Sequence, residues 1–130
     1  MYTTAVKRNF VAQHFLIGGD WGEENQKHSH AYQIEVQLSG ETLDEHGYMV
    51  DIVDITRALD EQCAFFRDKT LNELAEFAGL NPSIENLARI FCHAFVKRIQ
   101  ATNLSRARVQ IWESDIAWSA FEMQVTRESR

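Results

Sequence analysis

Strict alternation of apolar and polar residues in the second quarter of the chain predicts a half-buried β-strand. The strand begins near position 28, and its apolar positions are Tyr32, Ile34, Val36 and Leu38, with polar residues at the positions between them. Side chains two positions apart on a strand point to the same face. The pattern is therefore typical of a strand with one face in the core and the other face outside it.

Three further segments show the same two-residue alternation of apolar and polar positions. A first strand is predicted over residues 3–15 and a third over 106–112. A fourth strand places Phe121, Met123 and Val125 on one face. Glycines and polar residues mark the connections after the first and second strands, at 18–25 and 40–47.

Two segments show the three- and four-residue spacing of amphipathic helices. The first helix is predicted over residues 52–66, with Asp51 or Asp54 as its N-cap. The second helix begins with Ser83 as its cap. The stretch 67–81 between them is predicted to be irregular or to hold one short helical turn. The apolar stripe of the second helix consists of Ile84, Leu87, Ala88, Phe91, Phe95 and Ile99.

Two hairpins that flank two helices predict an α+β fold, with an antiparallel sheet and helices on one of its faces. The length of 130 residues predicts a single domain over 1–130. The net charge of −6 gives the chain no long-range attraction for nucleic acid or an anionic membrane. No apolar run approaches the roughly 20 residues of a membrane span. Two cysteines are too few for a disulfide framework, which favours a cytoplasmic location.

Three histidines in the first quarter of the chain form a candidate metal site. His28 and His30 share a face with the apolar residues of the second strand. His14 follows Phe10 and Ala12 at two-residue intervals, so it shares their face of the first strand. Antiparallel pairing of the two strands could bring all three together. Three neutral imidazoles with one open position describe a catalytic zinc site. A His-x-His pair alone is more often exposed or structural, so both interpretations remain open.

A carboxylate near the end of the third strand is a second candidate. Glu113 continues the face that carries Ile111, so its side chain lies either in solvent or in a pocket. In a pocket, the carboxylate could accept two parallel N–H bonds from the edge of an amino-heterocycle. Trp112 and Trp118 flank Glu113 and could pack over a planar ligand or contact another subunit.

Five short motifs then follow one another along nearly the whole chain: Phe10-Val-Ala-Gln-His14, His28-Ser-His30-Ala-Tyr32, Gly47-Tyr-Met-Val-Asp51, Pro82-Ser-Ile-Glu85-Asn86 and Glu113. In this order the motifs resemble the 6-pyruvoyl-tetrahydropterin synthase family. That family includes the 6-carboxy-tetrahydropterin synthases of bacterial queuosine biosynthesis. The resemblance implies the tunnelling fold, in which a four-stranded sheet carries two helices on one face. It also implies a homo-oligomer, either a trimer that closes a β-barrel or a dimer of such trimers.

The resemblance further assigns roles to the candidate residues. It implies Zn2+ on the three histidines, His14, His28 and His30, and a pterin substrate such as 7,8-dihydroneopterin triphosphate. Glu113 would anchor the pterin ring. The segment around Ser83 and Glu85 would help to form the pocket, which in this family lies between subunits.

The sequence departs from the family at the residues that move protons. The family places a catalytic cysteine a few residues before the His-x-His pair, and here that position holds Glu24. The family also carries Asp-His ahead of Leu-Asn after the first helix, where this chain has Arg67 and Asp68. The residue between the paired histidines is Ser29 rather than the usual glycine.

Three interpretations follow from these departures. In the first, the chain is a variant enzyme in which Glu24, or else Glu23, is the general base and Asp68 transfers protons. Members of the family that use glutamate for the cysteine resemble enzymes that release 6-hydroxymethyl-dihydropterin. In the second, the chain binds zinc and a pterin without turnover. In the third, it is a structural oligomer whose histidines are incidental.

Overall fold

The strand order follows the order of the sequence. In the computed structural model, which describes residues 1–126, the four strands form one antiparallel sheet with the order β1-β2-β3-β4. The strands are β1 (Tyr2–His14), β2 (His28–Gly40), β3 (Arg106–Trp112) and β4 (Trp118–Gln124). The predicted strands are therefore confirmed, with ends within about two residues of the sequence pattern.

Two helices cover one face of this sheet, as predicted. They are α1 (Ile52–Phe66), which packs on β1, and α2 (Ile84–Lys97), which packs on β3 and β4. Of the two candidate caps for α1, the structure selects Asp51, whose carboxylate accepts a hydrogen bond from a first-turn amide. The Ser83 hydroxyl caps α2 in the same way. Both helices therefore begin where the sequence places them.

Stacked aromatic rings join the sheet to both helices. The ring of Phe10 on β1 lies 6.0 Å from that of Phe66 at the end of α1 and 6.3 Å from that of Phe91 on α2, centroid to centroid. All three rings are buried, and the ring of Tyr32 on β2 is 5.5 Å from Phe10. Such pairs contribute about 0.5–1.5 kcal/mol each beyond the area that they bury. They anchor the helices beneath the end of the sheet that carries the histidines.

The connection between the helices differs in detail from the prediction. The stretch 67–81 holds two 3-10 turns, Leu71–Glu73 and Ala75–Phe77, rather than one short helical turn. Leu71 in the first turn and Phe77 in the second are buried, so each turn contributes one apolar side chain to the core. Ile99 lies beyond the end of α2, although its side chain is buried as the helical stripe predicted. Among residues 1–126, no helix is long and apolar enough to cross a membrane.

The second face of the sheet is covered by neither helix. On this face the ammonium of Lys7 lies 5.3 Å from the ring centre of Trp112, and the guanidinium of Arg108 lies 5.5 Å from that of Trp118. Because side chains alternate along a strand, both tryptophans face away from Ile111 and the helices. Within one chain, their rings therefore do not lie over a ligand held on the covered face.

The ladder between β1 and β2 is the element that positions the histidines. It runs without a bulge from the pair Tyr2 and Gly40 to the pair His14 and His28. The connecting residues 15–27 therefore lie wholly outside the ladder. They include a short 3-10 helix, Gly22–Asn25, and they return the chain directly opposite the point where it left.

Candidate metal centre

The three predicted histidines converge at the open end of the β1-β2 ladder. The Nε2 atom of His28 lies 3.0 Å from the Nε2 atom of His14 and 3.0 Å from that of His30. Three nitrogens bound to one tetrahedral ion at about 2.0–2.1 Å would be about 3.3 Å apart. The spacing of the ring nitrogens is therefore close to that of three ligands to a common metal ion.

Backbone carbonyls orient two of the three imidazoles. His14 Nδ1 is 2.9 Å from the carbonyl oxygen of Pro82, and His28 Nδ1 is 2.8 Å from that of Gln26. Since a carbonyl oxygen only accepts hydrogen bonds, each Nδ1 carries the proton and donates it. This fixes the tautomer and leaves the Nε2 lone pairs directed at one another, as in metal-binding histidines. The hydroxyl oxygen of Tyr32 lies 3.2 Å from the same Nδ1 of His14.

Burial keeps part of this cluster neutral. The side chain of His14 is only 2% exposed, and burial lowers its pKa to about 4 although the hydrogen bond to Pro82 opposes the shift. Burial also lowers the pKa of His30, against the opposing charge of Glu113. Neutral imidazole is the form that binds a metal, so these groups are ready to do so near pH 7. Three imidazole nitrogens that leave a fourth position open fit Zn2+.

Of the two glutamates predicted as a general base, Glu24 is the one whose charge reaches the cluster. Both lie in the 3-10 helix that precedes β2, and both are exposed. Burial is the main influence on the pKa values of His14 and His30, and the carboxylate of Glu24 acts against it at both. Glu23 is not among the groups that shift either pKa. The loop thus brings one acidic group toward His14 and His30.

Glu113 lies beside the cluster rather than in open solvent. Its Oε1 atom is 3.3 Å from His30 Nε2, and its side chain is 33% exposed. The backbone turns directly after β3, where the Glu113 amide donates to the carbonyl of Ala117. The structure places Glu113 between the two alternatives that the sequence allowed, with its carboxylate against an imidazole of the cluster and partly open to solvent.

The start of α2 adjoins the cluster through the carbonyl of Pro82. Ser83 follows directly, and its hydroxyl is committed to capping the helix. Glu85 is exposed in the first turn, where a negative charge is favoured by the helix dipole. The structure therefore places this predicted segment next to His14, although neither side chain contacts the imidazoles within the described residues.

Asp68 lies apart from the cluster. Its amide donates to the carbonyl of Val11 at the outer edge of β1, and its side chain is exposed. Its backbone adopts the left-handed conformation, with φ of +61°. Within residues 1–126, its carboxylate has no hydrogen bond or ion pair with the histidines. The structure thus does not bring this predicted residue into the group formed by the others.

Two kinds of neighbour in this site were not predicted from the sequence. The contacts of the Pro82 and Gln26 carbonyls could not be predicted from the sequence, because every residue carries a backbone carbonyl. The contact of Tyr32 could have been predicted, since Tyr32 is two positions beyond His30 and lies on the same face of the strand. A tyrosine hydroxyl at that parity could have been predicted to contact an imidazole.

Comparisons with known proteins match nearly the whole chain. A sequence profile of the family described as 6-pyruvoyl tetrahydropterin synthase matches residues 3–124. A provisionally named 6-carboxy-5,6,7,8-tetrahydropterin synthase from Archaeoglobus fulgidus is 27% identical over 114 residues, which cover 88% of this chain and 90% of that protein.

Solved structures share the fold at lower identity. The 6-pyruvoyl tetrahydropterin synthase of Caenorhabditis elegans superposes with a TM-score of 0.79 at 20% identity, covering 94% of this chain and 95% of that one. A Plasmodium vivax 6-pyruvoyltetrahydropterin synthase, solved as a variant in which a catalytic glutamate is replaced by alanine, gives a TM-score of 0.79 at 13% identity. It covers 95% of this chain and 98% of that one. The fold is the tunnelling fold, and the chain belongs to the 6-pyruvoyl tetrahydropterin synthase family.

Proposed function

We propose that this chain is a zinc-dependent lyase that processes a pterin, with 7,8-dihydroneopterin triphosphate or a similar pterin as its substrate. The observation that carries the proposal is the convergence of three imidazoles, in which His28 Nε2 lies 3.0 Å from the Nε2 atoms of both His14 and His30. The Glu113 carboxylate lies 3.3 Å from His30 Nε2, and Glu24 lies in the short helix just ahead of the paired histidines. Membership of the family supplies the substrate class, since the named relatives are pterin synthases.

Three residues would hold the metal: His14, His28 and His30. Zn2+ bound there would supply Lewis-acid polarisation of a hydroxyl or carbonyl on the substrate side chain. The hydrogen bonds from His14 to Pro82 and from His28 to Gln26 would keep the ligand nitrogens oriented. The chain itself therefore provides both the ligands and the groups that fix their direction.

Glu24 is the proposed general base. It replaces the family cysteine, and a carboxylate that reaches a substrate C–H or O–H can take its proton if the pKa suits the task. The influence of its charge on His14 and His30 supports this role over that of Glu23. A relative with a glutamate described as catalytic, the Plasmodium vivax enzyme, provides further support. Asp68 remains a predicted proton-transfer residue.

Glu113 is proposed to anchor the heterocycle, because its carboxylate faces the site and is partly exposed to an incoming ligand. The segment of Ser83 and Glu85 would form an adjoining wall. We further propose a cytoplasmic homo-oligomer, either a trimer or a dimer of trimers. The outer edge of β4, and that of β1 ahead of Val11, support assembly, since edges that no described strand pairs favour pairing with another copy.

The test is to incubate zinc-loaded protein with 7,8-dihydroneopterin triphosphate and to separate the products by chromatography. Wild-type protein is expected to convert the pterin, and removal of zinc is expected to stop conversion. Glu24→Gln should abolish turnover because it keeps the shape of the side chain but cannot accept the proton. Glu23→Gln is the matched control, one residue away in the same helix, and should retain the wild-type rate.

The products distinguish the related reactions. Release of 6-hydroxymethyl-dihydropterin would identify the glutamate-dependent variant reaction, whereas a 6-carboxy or 6-pyruvoyl product would identify a synthase. Saturable pterin binding without conversion would instead indicate a zinc- and pterin-binding homologue that has lost the reaction. Absence of both zinc and pterin binding would contradict the proposal and favour a structural role.

A further inference from the structure

The loop that carries Glu24 is held in place by side chains rather than by strand pairing. Residues 15–27 include Gly18, Gly19 and Gly22, and most of their side chains are exposed. Such a composition is typical of a mobile connection. In this structure, however, three asparagines hydrogen-bond to the loop backbone along its length.

Asn25 makes the largest set of these bonds. Its Nδ2 donates to the carbonyls of Leu16 and Gly19, both at 3.0 Å. Its Oδ1 accepts from the amide of Trp21 at 2.8 Å. One half-buried side chain thereby joins three backbone positions of the loop. Aspartate could not replace it, because a carboxylate has no hydrogen to donate to the two carbonyls.

Two other asparagines hold the first half of the same loop. Asn72 both accepts from the amide of Phe15 and donates to its carbonyl, at 3.0 and 2.9 Å. Asn81 accepts from the amide of Ile17 at 2.9 Å. Both lie in the segment between the helices, so the loop start is attached to the body of the protein. Asn25 then ties the loop end to that fixed start.

Glu24 lies at the junction of these bonds. Its carbonyl accepts from the amide of Leu16 at 2.8 Å, and its amide donates to the carbonyl of Trp21 at 3.3 Å. The ring of Trp21 covers Gly19 so closely that a Cβ there would lie 2.8 Å from it. The backbone on both sides of the proposed base is therefore fixed by contacts that include Asn25.

We propose that Asn25 is a positioning residue that holds Glu24 beside the histidine cluster. Loss of its three hydrogen bonds leaves the backbone bond between Leu16 and Glu24 without side-chain support, so the 3-10 helix loosens and the carboxylate can move away from His14 and His30. The inference rests on the proposed function only in naming Glu24 as the base. The position of the Glu24 charge can be measured without turnover, through its effect on the binding of a divalent cation.

The experiment is a double-mutant cycle read by the affinity for Zn2+ alone. Glu24→Gln removes the charge and is expected to weaken Zn2+ binding by about threefold to tenfold. Asn25→Ala is expected to weaken it by a similar factor, and the double variant by no more than either single one. Asn103→Ala is the matched control, because Asn103 donates one hydrogen bond to the carbonyl of Thr42 in another loop.

Amide hydrogen exchange supplies a second readout. Asn25→Ala should speed exchange in residues 16–25 and leave the β1-β2 ladder at its wild-type rate. If this variant does not fold, Asn25→Ser keeps one hydroxyl donor and should give a smaller effect of the same kind. In the activity assay, Asn25→Ala should lower kcat with little change in KM, since the metal and heterocycle sites stay in place.

Two results of the exchange and Zn2+ experiments would overturn the inference. In one, Asn25→Ala leaves both exchange and Zn2+ affinity at wild-type values. In the other, the two substitutions weaken Zn2+ binding additively, which would mean that Asn25 acts independently of Glu24. A non-additive cycle in a protein that converts no pterin would sustain the inference and reject the function. Full activity of Asn25→Ala, together with an inactive Glu24→Gln, would reject the inference and sustain the proposed function.

Discussion

His14 and His28 are direct partners in the β1-β2 ladder, and their Nε2 atoms lie 3.0 Å apart. Two of the three candidate ligands are thus brought together by backbone pairing alone, across a loop that takes no part in it. The third, His30, follows on the same face of β2. A register slip of one residue would turn both histidines of β2 away from His14, so the ladder specifies the candidate metal site as strictly as it specifies the core.

The first prediction concerns metal content. Protein isolated without chelators should hold about one Zn2+ per chain by elemental analysis, and His28→Ala should lose it. His46→Ala is the control, since His46 is exposed and lies in a distant turn. At a free zinc concentration about 100-fold above Kd, binding stabilises the native state by about 2.7 kcal/mol. Chelation should therefore lower Tm by several degrees. Equal zinc content in wild type and His28→Ala would contradict the assignment.

A second prediction concerns the pH dependence of the metal-free protein. The unfolded chain protonates His14 near pH 6.5, whereas burial holds its pKa to about 4 in the folded chain. Between these values the unfolded state binds more protons, so the free energy of unfolding should fall as the pH drops from 6.5 to 4 and should level off below that. The loss from this residue is about 3 kcal/mol at most.

Urea unfolding of metal-free protein at a series of pH values measures this effect. His14→Asn removes the titrating group, so its stability should change less over the same interval. A profile for His14→Asn as steep as that of the wild type would show that other groups cause the pH dependence.

A third prediction concerns the two thiols. Cys63 and Cys92 are fully buried in the helices, and burial raises the pKa of their thiols to about 11 and about 12. Since the thiolate is the reactive form, both should resist a thiol-specific reagent at pH 8 in the native protein. Both should react promptly once the protein is unfolded in denaturant. Rapid labelling of either thiol in the folded chain would contradict the buried placement.

A fourth prediction concerns the backbone at Asp68. Its φ of +61° lies in the region that Asn and Asp tolerate better than other residues with a side chain. Asp68→Asn should therefore keep the wild-type stability within about 0.5 kcal/mol, whereas Asp68→Ala should lose about 1–2 kcal/mol. Denaturant titration of the two variants measures the difference. Equal stabilities of the two variants would show that the backbone conformation at this position imposes no strain. If Asp68→Asn keeps the wild-type stability, the same variant can be used in the activity assay to test the predicted role in proton transfer.

Much of the architecture could be predicted from the sequence because its elements have clear periods. The residues 52–66 carry an uninterrupted helical stripe, and α1 has those bounds. The grouping of His14, His28 and His30 followed from parity and antiparallel pairing, which need no knowledge of the loop between them. These predictions succeeded because period and burial act over many residues at once.

The details of the site depended on interactions that leave no such period. The carbonyls of Pro82 and Gln26 fix the imidazoles, yet backbone groups are the same at every position. Asn25 and Asn72 resemble ordinary loop residues in the sequence, because asparagine is common in turns. Only their positions in space distinguish a residue that closes a loop from one that faces water.

The ladder that ends at His14 and His28 has a further consequence for how this scaffold can be altered. The imidazoles belong to the sheet, whereas Glu24 belongs to an excursion that leaves and rejoins the sheet at one place. Substitutions within 15–27 can therefore exchange the proposed acid–base group while the strands that carry the histidines stay intact. A designed change of reaction would therefore need to alter only a few residues of this one loop, and the three-histidine cluster could be left as it is.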